Sequence, residues 1–280
     1  MPQYRYAVTH PGRAHRDDFL SSCLVFALGL VDEIHRRQPT SAELEDDKIL
    51  VFDVGDRHEP ALGNFDHHQF SRDAEPACAL SLLTEHYGHD GLALLPWYNS
   101  TVTLDSKGPM ALAAQLGLER LPVELESPIE KVLLYIFSDL HSVNNRFATA
   151  AIGLLMQTIG GRIVDQAEEL RANLKRCRDT SVRFDVSGLP VLLVHDSKGA
   201  KAIKEFMQTG PRDCAITITP DDRGPGWSLF RVDDHPAVDF LKLKDHEAIT
   251  FAHANGFIAK TKERLALHDI ARLLELAIDG

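Results

Sequence analysis

Four consecutive apolar residues, Ile49-Leu50-Val51-Phe52, run into Asp53, and this stretch constrains the fold more than any other in the chain. A strand that is apolar at every position has no side to turn to water. It belongs inside a sheet covered by helices on both faces, the setting of a parallel sheet. Upstream, Tyr4 to Thr9 reads as a first strand that stops at the turn signal His10-Pro11-Gly12. Between the two, from about Asp17 to Gln38, the residues Leu20, Cys23, Leu24, Ala27, Leu28, Val31 and Ile34 recur at helical spacing. Strand, helix, strand is the βαβ unit of an open, mostly parallel α/β sheet.

Further along, Ser127-Pro128-Ile129-Glu130 reads as a capping box with Pro at the first helical position. The helix it opens is predicted to bury Ile129, Val132, Leu133, Ile136, Phe137 and Leu140. Phe147 to Ile159 reads as another helix ended by Gly160-Gly161, and Arg162 to about Arg183 as a long charged connector helix. A second, smaller α/β pattern follows: strand Leu189–His195, helix Gly199–Gln208, strands Cys214–Thr219, Trp227–Val232 and Ile249–Ala254, and a closing helix Thr261–Ile278. These elements predict two domains, residues 1–183 and 184–280.

Composition excludes several classes. At 44% hydrophobic and 25% charged residues the chain is an ordinary globular one, and its formal charge of -11 argues against a surface wrapped in nucleic acid. The cysteines Cys23, Cys78, Cys177 and Cys214 form no C-x-x-C pair, which argues against structural zinc and a disulfide framework and favours a reducing, cytoplasmic setting. No secretory leader is visible at the N-terminus, and no apolar run reaches the roughly 20 residues of a membrane span. Nothing in the residues argues for or against a homo-oligomer.

Imidazoles and carboxylates gather where the strands are predicted to end: His10, His15 and Asp17 after the first, Asp53 after the apolar run, and Asp66-His67-His68 soon afterwards. Asp139 lies on the capped helix. This donor mix suits borderline divalent metals such as Mn, Fe, Co or Zn. Two such ions, roughly 3.5–4 Å apart, can clamp the attacking and leaving oxygens of a phosphoryl transfer if a carboxylate is shared between them. Asp53, on a rigid strand terminus, is the natural bridge. Taken singly the same residues have plain readings: His10 as a turn residue, Asp17 and Asp18 as acids at a helix N-terminus, Asp139 as a solvated side chain.

Together these motifs resemble the DHH phosphoesterase superfamily and, within it, the MYG1 or UPF0160 family, whose studied members are linked to RNA exonuclease activity. The likeness rests on Thr9-His10-Pro-Gly-Arg-Ala-His15-Arg-Asp17-Asp18, Phe52-Asp53-Val54-Gly55, Asn64-Phe65-Asp66-His67-His68-Gln69, Leu104-Asp105-Ser106-Lys107-Gly108 and Phe251-Ala252-His253-Ala254-Asn255-Gly256-Phe257-Ile258. It implies a DHH-like first domain in which His10, His15 and Asp53 hold one metal, and Asp17, Asp53, His67 and Asp139 the other, with His141 as an alternative to Asp139. Asp66 is then expected to orient an imidazole, and His68 to face the substrate phosphate. Arg13, Arg16 and Lys107 are candidates by position for phosphate contacts. The resemblance also implies a substrate clamp in the second domain from His253, Asn255 and Gly256, the glycine letting a phosphate approach. The expected cofactor is a pair of divalent ions, Mn2+ ahead of Mg2+, Co2+ or Zn2+. Asp18 stands where the family has Glu, and residues 70–101, with Trp97 and Tyr98, form a longer link than the family's, expected to add a helix or lid.

The leading expectation is a metal-dependent hydrolase of phosphodiester bonds with 3'-5' exonuclease-like action on RNA or short oligonucleotides. A phosphatase or pyrophosphatase for a small metabolite is the alternative, favoured by the acidic charge and the lack of a basic run. A binding protein that kept the fold and lost the chemistry ranks third.

Overall fold

The computed structural model describes residues 2–122, 127–146, 150–210 and 213–279. It is a mixed α/β chain with two six-stranded sheets, and it divides into two compact units, Met1–Glu168 and Glu169–Gly280. The division falls inside a helix that the sequence reading, with its boundary after residue 183, assigned whole to the first domain. Among the described residues no helix is long and apolar enough to cross a membrane.

The first unit holds strands β1 (Tyr6–Thr9), β2 (Glu33–Arg36), β3 (Ile49–Phe52), β4 (His58–Glu59), β5 (Asn64–Phe65) and β6 (Ser142–Asn144). Its helices are α1 (Arg16–Ala27), α2 (Ser41–Leu44), α3 (Ala79–His86), α4 (Tyr98–Gln115), α5 (Pro128–Asp139) and the start of α6 (Ala151–Thr180). The strand order is β4-β5-β3-β1-β2-β6. Strands β2, β1, β3 and β5 run parallel, while β4 and β6 close the edges antiparallel. All of β3 is buried, as its uninterrupted apolar run requires, and each such side chain contributes roughly 1.5–3 kcal/mol by leaving water. Strand order reverses around β1, so the crevice at the carboxyl ends of β1 and β3 is where an open α/β sheet accepts a ligand.

Three departures from the sequence reading in this unit have plain causes. Helix α1 stops at Ala27, not near Gln38: Gly29 N–H donates to Phe26 O and Leu30 N–H to Val25 O, a Schellman stop, and Val31 and Ile34 belong to the run into the buried strand β2. Helix α6 runs straight through Gly160-Gly161. A Cβ at Gly160 would sit 2.1 Å from the Cys23 carbonyl oxygen, so this glycine permits close packing on α1 and does not end a helix. Helix α5 is capped by Ser127, which accepts the Glu130 N–H, but the Glu130 side chain pairs with Arg16 and does not complete the box. Its buried residues are Leu134 and Phe137, while Ile129, Val132 and Ile136 face outward. The Phe147–Thr149 part of the predicted helix lies outside the described residues.

The second unit continues α6 into β7 (Ser181–Val186), β8 (Leu189–Val194), α7 (Ser197–Ala200), α8 (Ile203–Thr209), β9 (Ile216–Pro220), β10 (Trp227–Arg231), β11 (Ile249–Ala252), β12 (Ile258–Thr261) and α9 (Leu267–Glu275). The order is β11-β12-β10-β9-β8-β7, with only β8–β9 parallel. Strand β7, whose first residues to about Arg183 were read as the end of a helix, is an edge strand joined to β8 through Ser187-Gly188, both at positive φ as a tight hairpin demands. Strand β12 occupies residues to which the sequence reading gave no element, apart from Thr261, which it placed at the start of the last helix; that helix begins only at Leu267.

Candidate metal centre

Strands β1, β3 and β5 are adjacent and parallel, so the residues that follow them converge: His10, Asp53 and Asp66. Asp53 leaves β3 with φ 58°, a left-handed conformation uncommon outside glycine, while its N–H is held by Phe65 O at 3.2 Å. One carboxylate oxygen lies 3.2 Å from His67 Nε2 and the other 3.4 Å from His10 Nε2. Asp53 therefore faces two groups of donors at once.

On one side are Asp17, Asp53, His67 and Asp105, with one ligand atom from each within 4.8 Å of the others. Asp17, on the first turn of α1, accepts the N–H groups of Ala79 and Leu80 at 2.8 Å each, so the N-terminus of α3 fixes its carboxylate. Asp105 lies on α4 just ahead of a break at Gly108-Pro109 and reaches His67 Nε2 at 3.0 Å. Burial raises the Asp17 carboxyl well above its ordinary pKa, and the charges of Asp53 and Asp105 push it further. Burial alone would lower the His67 imidazole. Hydrogen bonds to Asp105 and Asp53, with the charge of Asp17, outweigh it and hold the pKa at about 10.

The other side gathers His10, Asp18 and Asp53. His10 Nδ1 lies 2.9 Å from Pro11 O, a contact that an N–H makes, so Nε2 is the ring nitrogen turned toward the carboxylates. That Nε2 is buried, has no hydrogen-bond partner, and lies 3.2 Å from Asp18 and 3.4 Å from Asp53. An imidazole nitrogen and two carboxylates at these distances need positive charge among them, from a proton on the ring or from a metal ion. This arrangement fits a divalent ion, as does the donor set of imidazole and carboxylate. Asp18 is itself pinned by the His15 N–H at 2.7 Å and by Arg36 at 3.0 Å. Burial takes Asp18 up to about 6 despite the favourable charges of His10 and Arg36. Arg36 is buried, donates to Phe137 O at 2.7 Å and stacks on the Phe137 ring.

Asp66 is buried beneath the pair. Its oxygens accept from the N–H groups of Asp56 (2.6 Å) and His67 (2.7 Å), and His68 Nδ1 lies 2.6 Å away. That last bond raises the His68 imidazole and turns its half-exposed ring toward the cavity. The cavity, about 620 Å³, is walled by His10, His15, Asp53, His68, Asp105 and, from the long link, Phe70, Ser71 and Arg72. The link also supplies α3, the helix whose N-terminus holds Asp17.

Of the residues singled out from sequence, His10, Asp17, Asp53, Asp66, His67 and His68 meet here, and His15 stands at the wall, its ring 5.5 Å from that of His10. Asp139 does not join them: it is exposed at the C-terminal end of α5, and His141 is exposed beyond it. Asp105 takes the place expected of Asp139. Asp105 and Asp18 both sit inside the quoted motifs, and a carboxylate just before a glycine-proline helix break was the available signal for the former. Arg13 is exposed away from the cavity and Arg16 is tied to Glu130 at 2.5 Å. Lys107 lines the wall, but it donates to the carbonyls of Arg72 and Ala74, so it anchors the link. His253, Asn255 and Gly256 lie in the second unit, in the turn between β11 and β12. A Cβ at Gly256 would fall 1.9 Å from Asp239 Oδ1. That close approach accounts for the glycine, and a carboxylate already occupies the space a phosphate was expected to use.

Residues 6–96 match the sequence family described as MYG1_exonuc, Uncharacterised protein family (UPF0160). No curated protein matches the chain. Among solved structures it is similar to an uncharacterized protein from Helicobacter pylori G27, at 13% identity over 97% of this chain and 98% of that one, with a TM-score of 0.24. It is also similar to a Methanococcus jannaschii protein described as a family II inorganic pyrophosphatase, at 13% identity over 96% and 99% of the two chains, TM-score 0.20.

Proposed function

We propose, from the UPF0160 assignment that residues 6–96 support, that this chain is a divalent-metal-dependent phosphoesterase acting on phosphodiester bonds of RNA or short oligonucleotides. The observation that carries the reading is Asp53, whose two oxygens face separate donor groups, with the buried His10 Nε2 aimed among carboxylates. Asp17, Asp53, His67 and Asp105 would hold one ion, and His10, Asp18 and Asp53 the other, with His15 at hand. Bound there, two divalent ions, Mn2+ in the first instance, supply Lewis-acid charge for a phosphoryl oxygen and lower the pKa of an attacking water. The chain's own residues do the rest. Asp66 fixes the His68 ring, which faces the cavity and can donate to a phosphate oxygen or to the departing one. Arg72 at the wall offers a cation for the substrate's remaining charge. The link residues Phe70 to Arg72 form one wall of the cavity. Exonuclease-like action is the form the family's name favours, and the 3'-5' direction is carried over from the resemblance alone.

A phosphatase or pyrophosphatase for a small metabolite is the second reading. It is favoured by the acidic first unit, where the whole formal charge of -11 resides. Hydrolysis of bis-p-nitrophenyl phosphate and of a short labelled RNA, with and without Mn2+, separates the two. Mn2+-dependent RNA cleavage, steeply salt-sensitive and lowered about a thousandfold in Asp53→Ala, is expected. Turnover of the generic ester alone moves the assignment to the small substrate, and failure to bind metal removes both.

A further inference from the structure

Helix α5 carries apolar side chains on two sides. Its inner side buries Leu134 and Phe137. Its outer side presents Ile129 at 75% exposure, Val132 at 56%, Tyr135 at 66% and Ile136 at 37%. These positions lie three or four residues apart and so form one stripe along the helix. Asp139, three residues beyond Ile136 and also exposed, ends the stripe at the C-terminal turn.

At these exposures the four residues offer about 500 Å² per copy, so two copies joined by the stripe would bury about 1,000 Å², the lower limit of a specific interface. The stripe is also complementary to itself. With two copies antiparallel about a two-fold axis level with Leu134, Val132 of one meets Ile136 of the other, and the helix start at Ser127-Pro128 meets Asp139. Charge favours that direction. Asp139 sits at the C-terminal end of its own helix, where a carboxylate is unfavourable, and would sit at the positive N-terminal end of the second copy, where it is favourable. Glu130, in that first turn, is neutralised by Arg16. A parallel pairing would bring two Asp139 carboxylates together. A lipid surface would call for Lys or Arg beside the stripe, whereas here an aspartate ends it, on a chain of formal charge -11.

We propose that the outer face of α5 is the interface of a homodimer in which the two α5 helices pack antiparallel. This interface does not depend on what the chain hydrolyses. It does share a helix with the candidate metal centre, because the inner side of α5 supports that centre. Phe137 O accepts from Arg36, the guanidinium beside Asp18 stacks on the Phe137 ring, and Ser138 Oγ accepts the Ala14 N–H at 2.8 Å. A second copy on the outer side would therefore brace the helix that holds the cation of Asp18.

The test is sedimentation equilibrium of the full chain. A dimer with a Kd on the order of 10 µM is expected, the weak end that such an area allows. Val132→Glu enters the seam twice by symmetry and should weaken the dimer at least about a hundredfold, while the dilute monomer stays as stable as the parent's. Asp139→Asn should weaken it about fivefold and leave the dilute monomer unchanged or more stable, since the charge leaves its own helix C-terminus. Leu276→Glu, at a 55% exposed position in the second unit, should dimerise as the parent does; circular dichroism checks that each variant is folded. A parent that stays monomeric at about ten times that Kd, a folded Val132→Glu that dimerises like the parent, or loss of the dimer in Leu276→Glu alone would overturn the proposal. A dilute Val132→Glu monomer that is markedly less stable would overturn it too, by showing that the chain itself covers the stripe. Tighter association of Asp139→Asn would overturn the antiparallel arrangement.

Discussion

The first sheet gathers its polar residues at the ends of strands, while the second spreads its side chains across a face. In the first unit β1, β3 and β5 run the same way and finish side by side, so half-buried His10 converges with buried Asp53 and Asp66, each held by named hydrogen bonds. In the second, β10, β12 and β11 alternate in direction and their ends diverge, but every other side chain stands on the same face. Parallel pairing concentrates a few groups at one point, which suits ligands for small ions. Antiparallel pairing spreads groups along a surface and gathers none at one point. The cost differs as well: the convergent site buries charges that must be compensated, whereas Phe230 and Phe251 on the second sheet remain partly in water.

If that contrast holds, disturbing the support of the buried charges should matter most. Arg36→Met removes the cation beside Asp18 and leaves a buried carboxylate next to Asp53. A loss of about 3 kcal/mol in urea unfolding of the first unit is expected; a loss below 1 kcal/mol would mean that Asp18 is not charged there. A smaller effect, about 1–3 kcal/mol, is expected for Gly256→Ala, which combines a φ of +66° with a clash against Asp239. Generic-ester hydrolysis per folded molecule should be unchanged in that variant, and a selective loss of turnover would restore the glycine to the site. At the bottom of the scale, Ile129→Ser on the outer side of α5 should alter the thermal stability of the dilute monomer by no more than about 0.5 kcal/mol, because the side chain is 75% exposed. A larger loss would show that another part of the chain covers that helix.

Most of the convergent site could be read from sequence because its members follow strands within short motifs: a run such as Ile49–Phe52 announces both a buried strand and the position of Asp53 after it. Asp105 could not be placed this way. Its selection over Asp139 depends on which helix packs beside His67, a tertiary fact with no local periodicity behind it. The same limit explains β7 and β12, where charged residues such as Arg183 and Lys260 alternate with apolar ones and local propensity names no partner strand. It explains α6 too, since Gly160 breaks helices in general but here answers to a carbonyl on α1.

The left-handed backbone of Asp53 has a kinetic consequence. A residue with a side chain held at φ 58° costs on the order of 1–2 kcal/mol, and the sheet meets that cost when β3 and β5 pair, before any ion arrives. The carboxylate is then already turned toward both donor groups. Capture of an ion need not wait on rearrangement of this segment, so its speed is expected to follow how readily the ion sheds its water.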